Sequence, residues 1–326
     1  MIDTSYDAPQ VIREYLGYIK TIKGKSKLTA AEYYTDLRTF FRYIKLKRNL
    51  VDTNIEFEDI KINDVDIDLI KTITLMDIFE YMNYLVDERQ NSASTRARKS
   101  SSLRSFFKYL TNKTGQLSYN PLQELELPKI KSSLPKFLTL EQSIDLLKSV
   151  NGPYKERDYC ILVLFLNCGM RLSELVGINL KDISSNNTIK ITGKGNKERI
   201  IYLNEACINA INSYMRVRPT EKLAGKDRDA LFISRNHKRI SPKTVQYIVK
   251  KYLARIDLDK QGYSTHKLRH TAATLMYQYG EVDIRILKDI LGHENLGTTQ
   301  IYTHVSDKQM KEAAKSNPLS NININQ

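Results

Sequence analysis

The stretch from Ser264 to His304 holds four of the five histidines of the chain: His266, His270, His293 and His304. Arg269 follows His266 by three residues and Tyr302 closes the stretch. Guanidinium groups grip phosphate oxygens in a forked geometry. Imidazoles hold and move protons near neutral pH, and a tyrosine hydroxyl can act as a nucleophile. Phosphate-directed chemistry is therefore one reading. A zinc site is another, because His266 and His270 have H-x3-H spacing. Position 267 is lysine rather than the glutamate of H-E-x-x-H, and no cysteine or carboxylate completes a ligand set. A nearby arginine also opposes a cation, so no metal and no cofactor are expected.

The elements that must position these groups are legible in the second half of the chain. Ser264 or Thr265 caps a helix whose buried face is Leu268, Ala272 and Leu275, and Gly280 stops it. His266, Arg269 and His270 share its other side. Asp283 caps a further helix over Ile284–Leu291, Gly292 ends it, and His293 lies just beyond. Upstream, Thr139-Leu140-Glu141-Gln142 is a capping box. Arg157–Leu166 is an apolar core helix that Gly169 terminates, and Arg171 and Glu174 then share a face. Alternation over Thr188–Thr192 and Arg199–Leu203 predicts two strands, with Lys194 at the hairpin tip. No G-x-x-x-x-G-K-[ST] accompanies the Gly-Lys-Gly there, which argues against a nucleotide site. Phe232-Ile233 reads as a short strand. Ser241-Pro242 opens a helix that carries Lys243, Gln246 and Lys250.

The first half reads as helices over Ala8–Ile22, Thr29–Lys47 and Thr74–Glu88, then a helix opened by Asn91 or Ser92. On this last helix Arg96, Arg98, Lys99 and Arg104 stand among small Ser and Thr residues, a pattern that suits a face lying on a sugar–phosphate backbone. Residues Asp52 to Asp68 form an acidic insertion, read as a solvated loop. Leu127-Pro128 through Leu134-Pro135, flanked by lysines, makes a stiff basic linker. The expected organisation is a helical domain over 1–120, a linker over 121–136 and a second domain over 137–326.

Composition narrows the partner. Fifty-one Lys and Arg against 37 Asp and Glu give a net charge of +14, which favours nucleic acid. The longest apolar run, Tyr159–Leu166, is too short to span a bilayer. The first ten residues lack the basic and apolar regions of a signal peptide. Cys160, Cys168 and Cys207 show no metal spacing, and Cys160 and Cys168, in an apolar helix, read as core thiols of a reducing cytosol.

Taken together, Arg171 in GMRLSELVGI, Lys194 in ITGKGNKER, His266-Lys267-Leu268-Arg269-His270, Leu291-Gly292-His293 and Tyr302 resemble the active-site pattern of the tyrosine recombinases, or phage integrase family. The match is closest to the bacterial Xer type. The resemblance implies a mainly α fold: a helical, SAM-like core-binding domain and a mixed α+β catalytic domain with a small sheet, closing as a clamp on DNA. It implies that Arg171 and Arg269 grip the scissile phosphate, with His266 and His293 adding hydrogen bonds. Lys194 would protonate the leaving 5′-oxygen and Tyr302 would attack. Glu174 would orient Arg171 or the lysine, and His270 would buttress the helix or the loop carrying His293. It further implies a double-stranded recombination site, a tetramer on DNA, with or without a second related recombinase, and a cytoplasmic, nucleoid-associated protein that resolves chromosome dimers. A phage or transposon integrase, a type IB topoisomerase-like enzyme and a non-catalytic DNA clamp are the competing readings.

Overall fold

The computed structural model describes residues 8–52, 54–126, 136–193, 198–221, 223–280, 282–292 and 299. The chain divides into two compact units, 1–132 and 133–326. Lys194, His293, Tyr302 and the linker prolines lie outside the described residues.

The first unit is helical: α1 Gln10–Thr21, α2 Lys27–Lys47, α3 Ile67–Lys71, α4 Leu75–Asp87 and α5 Ala93–Asn112. Each of the longer helices has a local reason to start. The Ser26 hydroxyl accepts from the Thr29 N–H at 3.1 Å, Ser92 accepts from Thr95, and Thr74 forms a capping box with Asp77. These caps satisfy helix N–H groups that have no partner within the helix. Apolar residues at helical spacing then meet in one core, where Phe40 contacts Tyr81 edge-on at 5.0 Å and Tyr15 contacts Phe106 at 5.2 Å. Such edge-to-face pairs stabilise beyond the area they bury. Leu122 and Leu125 belong to this core as well, so the unit continues past residue 120.

The acidic stretch keeps its carboxylates exposed, as a solvated loop would, but apolar residues within it are packed inward. Ile60, Ile62 and Val65 are buried, and two cations of α2 hold the backbone around them. The Arg42 Nε donates to the Ile60 carbonyl at 2.9 Å and its Nη1 to Glu58 at 2.7 Å. Lys45 reaches the Lys61 carbonyl and both oxygens of Asp64. The charge pattern in the sequence identifies the carboxylates but not their internal counter-ions.

In the second unit, α6 Leu140–Lys148 opens on the expected capping box, whose Thr139 hydroxyl accepts from the Gln142 N–H at 3.1 Å. Helix α7 Lys155–Cys168 is the buried centre, and α8 Leu172–Gly177, α9 Glu205–Val217, α10 Pro242–Ala254 and α11 Thr265–Tyr279 surround it. Three antiparallel strands, β1 Ile183–Ser184, β2 Thr188–Thr192 and β3 Glu198–Tyr202, lie in sequence order. Ile189, Ile191 and Ile201 face the core. Two residues are too few to show alternation, so β1 has no sequence signal. Phe232-Ile233 is not a strand; Ile233 makes a single isolated bridge to Arg239. Helix α12 Ile284–Leu291 packs against α11. On α11 the buried face is Leu268, Ala272 and Ala273, while Leu275 is only partly covered.

Two of the cations that the sequence assigned to a DNA-facing surface serve the interior of the first unit. Lys99 is buried, with its ammonium 3.3 Å from Asp36. Asp36 also pairs with Arg98 and accepts from the Ser102 hydroxyl at 2.7 Å. Arg104 donates to the Leu125 carbonyl at 2.8 Å and to the Leu122 carbonyl at 3.4 Å. Arg96 donates to the Asn91 carbonyl at 2.6 Å. Arg98 is the most exposed of the four. Removing Asp36 would strand the buried Lys99 ammonium, a change that typically costs about 3–5 kcal/mol. Asp36→Ala is expected to lower the urea midpoint of the first unit and to speed hydrogen exchange in α2 and α5. A midpoint equal to that of the wild type would show that the ion cluster is not what joins these helices.

Candidate active site

Helix α7 ends at Gly169 in a left-handed conformation, φ +57°. A side chain there would also strike Leu291, with a Cβ 2.8 Å from its Cδ2. Glycine thus lets the chain turn sharply under α12 and delivers Arg171 to the start of α8. Gly292 plays the same part at the end of α12, with φ +64°.

Around these two turns, three arginines converge on one carboxylate. Glu174 is 4% exposed. Its Oε1 accepts from Arg171 Nη1 and from Arg199 Nη1, both at 2.7 Å. Its Oε2 accepts from the Arg171 backbone N–H at 2.7 Å and from Arg199 Nη2 at 2.9 Å. Arg269 Nη1 stands 3.9 Å from the same oxygen. Burial alone would raise the Glu174 carboxyl. The Arg199 guanidinium and the Arg171 backbone and side-chain donors outweigh it and hold the group down to about 2.

The same three arginines bind successive carbonyls at the end of α12. Arg199 Nε donates to Ile290 at 3.1 Å, Arg269 Nη2 to Leu291 at 2.6 Å and Arg171 Nη2 to Gly292 at 2.8 Å. These oxygens have no partner inside the helix and sit at the negative end of its dipole, so cations are favoured there. Arg269 Nη1 also donates to the Gly169 carbonyl at 2.8 Å, which ties α11 to the end of α7. Arg269 is buried, whereas Arg171 is partly open to solvent.

Arg171, Thr265, His266 and Arg269 line a cleft of about 350 Å³. His266 is exposed and His270 partly covered, with their rings edge-to-face at 4.5 Å between centroids. Burial, followed by the Arg269, Lys267 and Arg171 cations, pushes the His266 imidazole below its usual value. Burial, followed by His266, Lys267 and Arg269, brings His270 to about 4. Among the described residues, no group of three His, Cys, Asp or Glu could hold a metal ion. The cleft therefore presents two fixed positive charges and a neutral imidazole, a set that suits an anion undergoing proton transfer.

The structure thus brings Arg171, Glu174, His266, Arg269 and His270 together. Lys243, Gln246 and Lys250 lie apart from them, exposed on α10. Arg199 is the member that sequence reasoning missed. Its signal is an arginine at an inward position of β3, on the same side of the strand as the buried Ile201.

Depressed ionisation of Glu174 ties stability to pH. The carboxylate's contribution is fully present above its ordinary value of 4.5 and is lost as pH falls toward about 2. Glu174→Gln is expected to cost about 3 kcal/mol near neutral pH. That deficit should shrink in unfolding measurements stepped below pH 4.5. A deficit that stays constant with pH would show that the charge is not what holds the cluster.

Residues 136–309 match the phage integrase family and residues 59–114 the phage integrase N-terminal SAM-like domain. The latter begins inside the acidic stretch, which is thus partly integral to that domain. The chain is 54% identical over 312 residues to the tyrosine recombinase XerC of Caldanaerobacter subterraneus, covering 96% of this chain and 88% of the relative. It is 32% identical over 311 residues to XerD of Shewanella oneidensis, covering 94% and 96%. Two solved structures share the fold. The XerH recombinase in a post-cleavage complex with difH has a TM-score of 0.70 at 22% identity, covering 94% of this chain and 84% of that one. The Tn1549 transposon integrase with circular-intermediate DNA has a TM-score of 0.68 at 20% identity, covering 95% and 100%. With a buried carboxylate fixing paired arginines beside a neutral histidine, and these relatives along nearly its whole length, the chain belongs to the phage integrase family of tyrosine recombinases.

Proposed function

We propose that this protein is a site-specific Xer-type recombinase that cuts and rejoins duplex DNA through a 3′-phosphotyrosine. The observation that carries the reading is the cleft in which Arg171 and Arg269, fixed by Glu174, stand beside His266. An in-line attack on a phosphodiester passes through a state with charge concentrated on the non-bridging oxygens. Arg171 and Arg269 would neutralise that charge, and preorganised donors of this kind are commonly worth about 3–4 kcal/mol each. Tyr302 Oη attacks phosphorus and the bond from phosphorus to the 5′-oxygen breaks. His266, uncharged at neutral pH, can accept the tyrosine proton, and Lys194 gives one to the leaving 5′-oxygen. His293 adds a hydrogen bond to the phosphate, and His270 buttresses the helix that carries His266 and Arg269. Because the phosphotyrosine keeps the energy of the broken bond, a different 5′-hydroxyl can reverse the step without nucleotide hydrolysis.

In this reading the first unit is the core-binding domain and the second is catalytic, joined through the basic segment around residues 127–135. The exposed Arg98 of the first unit, with Arg96 on the same helix, and Lys243, Gln246 and Lys250 of the second are the DNA contacts. The working assembly is a tetramer on a recombination site, with a second related recombinase as the partner. Its task is chromosome dimer resolution on the nucleoid. The high identity to a XerC relative favours this role over that of a mobile-element integrase.

A nicked suicide duplex carrying a site selected from random duplexes tests the chemistry. The wild-type chain should become covalently attached to the 3′ end, and Tyr302→Phe should bind the duplex without attachment. Attachment that persists in Tyr302→Phe would move the nucleophile elsewhere, with Tyr277 and Tyr279 the next residues to replace.

A further inference from the structure

We propose that Arg199 is a positioning residue of the cleavage site: it fixes the Glu174 carboxylate and the last turn of α12 so that Arg171 and Arg269 meet the scissile phosphate in a single arrangement. This inference rests on the recombinase reading above.

All three guanidinium nitrogens of Arg199 are engaged. Nη1 and Nη2 take one oxygen each of Glu174, at 2.7 and 2.9 Å, and Nε takes the Ile290 carbonyl at 3.1 Å. The side chain is 14% exposed and does not line the cleft that Arg171, His266 and Arg269 share. It also lies flat against Gly292, where a Cβ would meet its Cδ and Nη1 at 3.2 Å. Gly292 is thus required twice, by its backbone angle and by the arginine packed on it. Arg199 reaches the phosphate only through its neighbours.

Competition for Glu174 explains why this matters. The carboxylate has two oxygens and three arginines around it. Arg199 occupies both oxygens, and that leaves Arg171 with Oε1 alone for its side chain and holds Arg269 at 3.9 Å. Without Arg199, the carboxylate is open to Arg269, which can close on it and withdraw from the cleft. The Ile290 carbonyl would lose its donor at the same time, so the turn that gives Gly292 O to Arg171 would loosen. A lysine cannot replace the fork, because one ammonium cannot span two carboxylate oxygens and a carbonyl in fixed geometry.

Single-turnover cleavage of the nicked duplex by the full chain tests this with Arg199→Met and Arg199→Lys. Each is run against a phosphodiester and against a methylphosphonate at the scissile position. The methylphosphonate lacks one non-bridging charge and asks less of the arginine pair. Expected for Arg199→Met is unchanged duplex affinity and a fall in phosphodiester cleavage on the order of 10- to 100-fold. The fall on methylphosphonate should be much smaller. Arg199→Lys should lie between wild type and Arg199→Met with the same substrate pattern, and it decides the matter if Arg199→Met does not fold. Wild-type cleavage in either variant, or an equal loss on both linkages, would overturn the proposal. Failure of the wild-type chain to cleave at all would instead overturn the recombinase reading, and this inference with it.

Discussion

The second unit depends on a carboxylate that is buried where carboxylates are costly. Placing Glu174 out of water is unfavourable unless its lone pairs are filled and its charge is met. Two guanidinium groups and a backbone N–H meet that demand directly, and a third guanidinium stands just beyond hydrogen-bonding range. The elements that supply them are far apart in sequence: the start of α8, strand β3 and helix α11. Their common attachment to the end of α12 closes the arrangement into one body. Like-charged groups that would repel one another are kept together because each has a carbonyl oxygen to bind and the carboxylate beside it.

The first unit uses the same logic with the signs distributed differently. Asp36 collects cations from α5, while Arg42 and Lys45 of α2 collect backbone carbonyls and acids from the stretch before α3. A basic chain can therefore hold some of its cations inside. Net charge read from composition overstates what the surface offers to DNA, and it does so unevenly. Lys99 and Arg42 are almost fully removed from solvent, whereas Lys243 and Lys250 are not.

Much of this was legible in the sequence, for identifiable reasons. Caps at Ser92 and Thr139, and stops at Gly169 and Gly292, are local, so the helices they bound were readable. The grouping of Arg171, His266 and Arg269 was readable through family resemblance, because no local rule brings residues so far apart together. Arg199 was not readable, since its role comes from a tertiary contact and its strand also reads as an ordinary alternating one. The packed acidic stretch was missed for the same reason. Ile60, Ile62 and Val65 are interspersed with polar and charged residues and resemble a surface loop until the cations of α2 are placed against them. Lys99 and Arg104 were assigned outward because helical periodicity distinguishes faces but does not say which long side chains fold back.

In the free protein the arginines of the cleft are already occupied. Arg171 and Arg269 between them hold the carbonyls of Gly169, Leu291 and Gly292 as well as Glu174. A phosphate arriving there exchanges hydrogen bonds more than it adds them, so the cleft contributes modestly to grip and strongly to geometry. Tight holding of the duplex then falls to exposed lysines and arginines elsewhere, whose counterions are released when DNA binds. Affinity and chemistry are thereby carried by separate sets of cations. A lineage could change how tightly the protein holds DNA, and how that grip responds to salt, by altering the outer set while leaving the inner one untouched.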